Sequence, residues 1–310
     1  MRAVVQRSYG PPDVLEVTDV PLPEPAAGRI RVRVEAAGVN PTDWKHRDGT
    51  VRYDGLPVVP GWDVAGVVDR IGYGVTLFEE GDEVFGMLPY PDGPGAYVEY
   101  AVGPARAFAR RPEGLDAVHA AALPLAGLTA LQSLDDTARL REGQKVLVQA
   151  AAGGVGHLAV QIAKALGAYV YATASAGKQD FLTSLGADRP VDYRAEDVRE
   201  VAGGVDAALV PMAGTTRTHS LEAVRDGGTL VTLLGGTPDE ELAAARARGV
   251  RHRTLLVEHD HHGMRRIAAL VRDGLLVPHV QQVFPLAEAA EAHRAGETGR
   301  TAGKLVLTVP

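Results

Sequence analysis

The sequence predicts an α/β fold: a doubly wound parallel sheet joined to a second, β-rich domain. Three observations predict it. The chain has 310 residues, more than one hydrophobic core usually serves, so two domains are expected. Its first third reads as strands, and its middle alternates strands with helices. At the start of that alternation a buried strand runs into a glycine turn and then a helix.

The β-rich part begins at the N-terminus, where Met1 to Val5 leads directly into a strand-like pattern, so no signal peptide is expected. A proline cluster, Pro21, Pro23 and Pro25, precedes Arg29 to Glu35, where polar and apolar residues alternate as in a strand with one wet face. Val64–Ile71 and Asp82–Gly86 follow as strands. Gly93-Pro94-Gly95 marks a turn before Ala96–Val102. Near residue 116 the pattern changes, and Asp116–Leu134 is rich in alanine and leucine at helical spacing. Lys145–Gln149 is a buried-strand run, and Val155–Leu166 a helix stopped by Gly167. Tyr169–Thr173 is a strand, Gln179–Leu185 a helix stopped by Gly186, and Asp206–Val210 and Gly228–Leu234 are strands. This rhythm implies a parallel sheet with helices on both faces. A helix at 263–273, a strand at 280–284, a short helix and a closing strand at 304–309 end the chain.

Composition excludes several classes. The net charge of −7 leaves no basic excess to neutralise phosphates, so no nucleic acid is expected as a partner. With no cysteine, neither disulfides nor thiolate zinc sites can form. No apolar run approaches the roughly 20 residues a membrane helix needs, so no membrane partner is expected, and the expected location is cytoplasmic.

The sharpest signal is Val146 to Gly156. A buried strand, a glycine turn and a helix are the context a dinucleotide fingerprint requires. Gly153 and Gly154 let the backbone approach a pyrophosphate, Gly156 lets the helix pack on the strand, and the helix start at Val155 offers N–H groups and a positive dipole end. The first fingerprint glycine is replaced by Ala151. A tight strand-to-helix turn without a ligand is the plain alternative. NAD sites place an acid about 20 residues beyond the first glycine. Here Ala172–Lys178 holds none. Ser175 and Lys178 suit a 2′-phosphate, so the expected cofactor is NADPH, although Lys178 also reads as a solvated helix start. Tyr193 could close the same pocket.

The chain resembles the medium-chain dehydrogenase/reductase superfamily, in its quinone oxidoreductase (zeta-crystallin-like) branch. The resemblance runs nearly end to end. It rests on Ala36–Asp43, Pro60–Val68, Gly81–Val84, Gly95–Tyr100, Ala122–Ala130, the glycine turn and Gly303–Leu307. It implies a GroES-like catalytic domain, residues 1–118 and 261–310, and a Rossmann NADPH-binding domain, residues 119–260. Zinc-dependent relatives place metal ligands where this chain has Asn40, Trp62 and about Leu125, so no metal is expected. Without a Lewis acid, acceptors already electron-poor through conjugation are favoured: quinones first, enones and enoyl groups as the alternative. A non-catalytic NADPH-binding protein is the reading from another class.

The resemblance also implies that Asn40 and Thr129 lie near the nicotinamide, and that Gly235 and Gly236 bring backbone to its amide. The plain alternatives are a turn residue before Pro41 and a helix-packing hydroxyl. Lys304 resembles a lysine that reaches the cofactor phosphates; a surface lysine is the alternative. No proton donor stands out, and Tyr53, near Pro57, is the candidate. Trp62 either narrows the substrate pocket or fills core volume, and Asp63 reads as structural. A homodimer is expected, with Arg251–Val257 as a plausible edge strand for pairing.

Overall fold

A computed structural model describes all residues, 1–310. They form two compact units. One holds Met1–Leu128, Glu258–Gly274 and Pro278–Pro310, and the other Thr129–Val257 and Leu275–Val277.

The second unit is a six-stranded, wholly parallel sheet. Its spatial order is Arg189–Asp192, Tyr169–Ala174, Lys145–Val148, Val205–Val210, Val224–Thr232, Arg251–Thr254. In chain order that is 3-2-1-4-5-6, the doubly wound dinucleotide-binding topology. The central strands are apolar because helices cover both faces: Val146, Leu147, Val148, Leu209, Val210 and Leu230 are buried. The helix Gly156–Ala165 ends where Gly167 takes φ 79, and the helix Gln179–Ser184 ends before Gly186 at φ 90. Only glycine adopts this left-handed conformation without a Cβ penalty. The segment Leu275–Val277 joins this unit through one side chain: the Gln161 amide donates to Val277 O (3.0 Å) and accepts from Val277 N (2.8 Å), as a strand neighbour would.

The first unit holds a seven-stranded sheet. Its path runs Val280–Pro285, Lys304–Thr308, Arg29–Val39, Asp63–Ile71, Glu83–Met87, Phe108–Arg110, with Tyr100–Pro104 also on Arg29–Val39. All pairs are antiparallel except the first, which is parallel. The strand predicted at 29–35 runs on to Val39, and a seven-residue helix, Pro41–Arg47, follows it at once. Pro41 begins that helix because it has no N–H to satisfy there.

The alanine-rich stretch with helical spacing forms three segments. Ala117–Ala121 and Pro124–Leu131 are α-helical and Gln132–Thr137 is π-helical. Pro124 explains the first break: it lacks the N–H and disfavours helical geometry at the residue before it. The composition shift at 116 does not mark the unit boundary, because the first helix lies on the β-sheet. A Cβ added at Gly38 would sit 2.3 Å from Ala121 O, and at Gly127 3.0 Å from Ile267. The boundary therefore falls after Leu128, ten residues beyond the expected position, and the later one falls before Glu258 rather than His261.

Candidate functional site

In the parallel-sheet unit the strand Lys145–Val148 ends in the turn 149–155. Ala150, not a glycine, takes the left-handed conformation there, at φ 50. Such a residue costs roughly 1–2 kcal/mol, and a buried hydrogen-bonded chain holds it in place. Ala150 N donates to Thr173 Oγ1 (3.1 Å), Thr173 donates to Gln149 Oε1 (2.7 Å), Gln149 Nε2 donates to Ser220 (2.9 Å), and Ser220 donates to Thr216 O (2.7 Å). Sequence reading missed this support, since its members sit on three separate strands and helices. It substitutes for the missing first glycine: Ala151 itself is fully buried.

After the turn, Gly154, Val155 and Gly156 donate no backbone hydrogen bond, the first intrahelical one coming from His157 N to Gly153 O (3.1 Å). Three consecutive free N–H groups at the positive end of a helix form an anion cradle. A Cβ at Gly153 would approach Ala150 O at 3.2 Å, and one at Gly156 would lie 2.4 Å from that oxygen and 2.6 Å from Ala151 Cα. Gly156→Ala is therefore expected to push the helix off the strand and cost about 2–4 kcal/mol, within the range of core overpacking and strain. Melting temperature and dinucleotide affinity should fall together.

Ser175 follows the next strand directly, in extended conformation, and Lys178 closes the 3₁₀ turn Ala176–Lys178. Tyr193 follows the strand Arg189–Asp192, whose Asp192 pairs with Ala174. Register thus brings Ser175, Lys178 and Tyr193 to adjacent strand ends. Tyr193 is half exposed, and the Arg194 guanidinium lies over its ring at 5.5 Å. Gly235 and Gly236 are exposed beyond the strand Val224–Thr232, and Gly236 has φ 73. Thr129 is buried in the helix Pro124–Leu131.

In the β-rich unit, Asn40, Asp63 and Lys304 form one buried cluster. Asn40 Nδ2 donates to Asp63 Oδ2 (2.8 Å), and Leu125 N donates to Asp63 Oδ1 (2.7 Å). Lys304 Nζ donates to Val39 O (3.0 Å), to Asn40 Oδ1 and to Asp63 Oδ2 (3.4 Å). An ammonium has three hydrogens, and all three are committed inside the unit. Lys304 is only 3% exposed. The alternative of a surface lysine is corrected: Lys304 is buried, where it neutralises Asp63 and fixes the Asn40 amide. Its sequence position beside Gly303 carried no sign of burial. Asn40 keeps one Nδ2 hydrogen, enough to orient a ring amide or a carbonyl.

Around this cluster stand aromatic rings. The His46 ring lies 4.8 Å from Tyr53 and 4.9 Å from Trp62, and Trp62 meets Tyr90 edge-on at 5.2 Å. Trp62 is fully buried, so it fills core volume. The Tyr53 hydroxyl is buried without a hydrogen-bond partner. Burial, and then the Asp43 charge, raises its pKa above the usual phenol value. Asp43, quoted in the motif but given no role by the sequence, is fully buried. It accepts from Asn40 N (2.6 Å) and Tyr97 Oη (2.8 Å), and burial raises its pKa to about 7.

These residues do not fit zinc: Asn40, Trp62 and Leu125 supply an amide, an indole and an alkyl group where thiolate, imidazole or carboxylate is needed. They do fit a dinucleotide, on the cradle at Gly153–Gly156.

A family model described as the alcohol dehydrogenase GroES-like domain matches residues 26–113, and one described as zinc-binding dehydrogenase matches residues 185–307. The chloroplast envelope quinone oxidoreductase homolog of Arabidopsis thaliana is 33% identical, covering 99% of this chain and 98% of its own. The chloroplastic NADPH-dependent alkenal/one oxidoreductase of the same plant is 32% identical over 99% of this chain and 79% of its own. The crystal structure of Escherichia coli quinone oxidoreductase complexed with NADPH superposes with a TM-score of 0.90 at 27% identity, covering 99% of this chain and 100% of that one.

Proposed function

Because the chain belongs to the medium-chain dehydrogenase/reductase superfamily, in its quinone oxidoreductase branch, we propose that it is an NADPH-dependent oxidoreductase that reduces a quinone without zinc. The observation that carries this reading is the pairing of a free N–H cradle at Gly154–Gly156 with strand ends that offer Ser175 and Lys178 and no acid. Bound NADPH supplies the hydride. Gly153, Gly154, Val155 and Gly156 hold its pyrophosphate, Ser175, Lys178 and Tyr193 its 2′-phosphate, and Gly235 and Gly236 bring backbone to its amide. Asn40 and Thr129 orient the reacting groups. With an amide and an indole at the metal positions, nothing polarises a simple ketone, so the acceptor must be electron-poor by conjugation. A quinone suits this, because its reduced oxygen is stable as a phenolate.

A second reading, an NADPH-dependent enoyl or alkenal reductase, is favoured by the buried Asp43 carboxyl and Tyr53 hydroxyl, since an enolate needs a proton donor. The deciding experiment mixes the protein with NADPH or NADH and a benzoquinone, a naphthoquinone, an enone and an enal, and follows loss of reduced-nicotinamide absorbance. NADPH loss with quinones supports the first reading. Loss with enones or enals alone replaces it by the second, and tight NADPH binding without turnover refutes both in favour of a binding protein.

The sheet ends at Arg251–Thr254, an unpaired edge with alternating charge. A homodimer through that edge, in the cytoplasm, completes the proposal. Sedimentation at the 32.6 kDa of one chain would refute the dimer. No helix is long and apolar enough to cross a membrane.

A further inference from the structure

A directed chain of hydrogen bonds runs through the β-rich unit to Asp43. Arg47 is almost fully buried. It donates to Gly10 O (3.0 Å) and to Glu297 Oε1 (2.5 Å), and its Nη1 lies 3.4 Å from His293 Nδ1. A guanidinium only donates, so Nδ1 is the acceptor and the neutral imidazole carries its hydrogen on Nε2. That ring is neutral because burial, and then the neighbouring Arg47 charge, lower its pKa to about 3. Nε2–H therefore points at Tyr97 Oη (3.3 Å), and Tyr97 donates to Asp43 Oδ2 (2.8 Å). Asn40 N donates to the same Oδ2 (2.6 Å). Every donor thus converges on Oδ2, while Oδ1 is buried with no partner.

An uncompensated buried carboxylate oxygen is costly. A proton placed on Oδ1 removes the charge and makes that oxygen a donor. Another buried oxygen without a partner is Tyr53 Oη. His46, three residues along the helix from Asp43 and so beside it, stacks 4.8 Å from the Tyr53 ring. Among the charges around the Tyr53 phenol, Asp43 acts on it most strongly. We propose that Asp43 stores a proton on Oδ1 and feeds it to the Tyr53 hydroxyl, which protonates the reduced acceptor, with Tyr97, His293 and Arg47 as positioning residues. This rests on the reductase reading above.

The balance is simple. The Tyr53 O–H bond breaks as its proton goes to the centre left negative by reduction. The Asp43 Oδ1–H bond breaks as that proton replaces it on the phenol oxygen. The Asp43 carboxylate keeps its bonds from Asn40 N and Tyr97, faces the Lys304 ammonium, and regains a proton from solvent between turnovers. The charged or titratable groups around it are Asp63, Lys304, His46, Tyr97 and Tyr53, with His293, Arg47 and Glu297 behind. Burial dominates among the influences on Asp43: Asp63 opposes its ionisation, and Lys304 and the Tyr97 hydroxyl favour it.

The test uses infrared difference titration of the whole protein without acceptor, then enone reduction by NADPH from pH 5.5 to 9. A carboxylic-acid C=O band should titrate near pH 7 and vanish in Asp43→Asn. Enone turnover should fall above the same midpoint. It should be about 100-fold lower and pH-independent in Asp43→Asn, the scale of a lost general acid. Tyr97→Phe removes a bond that favours the charged form, so both the band and the activity profile should shift to higher pH while the acidic plateau is kept. That shift is not produced by a merely structural role. An absent band, or a Tyr97→Phe profile that coincides with the native one, overturns the proposal. If Asp43→Asn does not fold, the Tyr97→Phe shift decides alone. A protein that oxidises no NADPH with any acceptor refutes the reductase reading, and the infrared titration then still decides separately whether Asp43 holds the proton.

Discussion

Lys178→Glu is expected to raise the KM for NADPH about 100-fold and leave that for NADH nearly unchanged. A charge-assisted hydrogen bond to a phosphate is worth roughly 1.5–3 kcal/mol, and each 1.4 kcal/mol is tenfold. Its charge makes Lys178 the stronger of the two candidates. Ser175 and Lys178 share one tight turn, with Lys178 N bonded to Ser175 O (2.9 Å). The neighbouring strand end adds Tyr193, with Arg194 over its ring, a second positive charge that the sequence reading left unused. Ser175→Ala removes one neutral bond and should cost about tenfold or less. Parallel KM measurements with both cofactors check the assignment. An equal loss for NADPH and NADH would place Lys178 away from the 2′-phosphate, and an NADH preference in the native protein would refute the assignment outright.

How much of this was legible in the sequence depended on whether the signal was local. The glycine turn was, because a strand, a turn and a helix are consecutive in the chain, and the helix stops at Gly167 and Gly186 were read from single residues. The buried contacts of Lys304 were not legible because its partners, Val39, Asn40 and Asp63, lie more than 240 residues away, and no spacing rule reaches so far. Asp43 stood in a quoted motif, yet its chemistry depends on Tyr97 and His293, brought to it only by the folded sheet and the C-terminal helix Ala289–Glu297. The unit boundary differs from the expected one for a related reason. Alanine-rich composition says that a segment is helical, not which sheet it covers, and the covering is decided by glycines such as Gly38 and Gly127 that admit close approach.

The buried pair itself should govern the stability of the β-rich unit. Lys304→Met leaves the Asp63 carboxylate buried with only Asn40 Nδ2 and Leu125 N as donors, and breaking a buried pair from one side costs about 3–5 kcal/mol. At roughly 2–4 °C per kcal/mol for a unit of this size, the melting temperature should fall by about 10 °C. Asp63→Asn alone should also destabilise, since it strands the ammonium among neutral acceptors. The double variant Asp63→Asn with Lys304→Met should recover most of the loss, because the desolvation cost of both charges disappears together. A thermal-melt double-mutant cycle reads this directly: additive losses would show that the two charges are not coupled. The same variants separate stability from cofactor binding. Lys304 has no hydrogen left for a phosphate, so NADPH affinity in Lys304→Met should stay within about threefold of native, whereas kcat should fall because the Asn40 amide loses the donor that fixes it. A large loss of NADPH affinity with an unchanged melting temperature would return Lys304 to the phosphates and overturn the assignment made from its three acceptors.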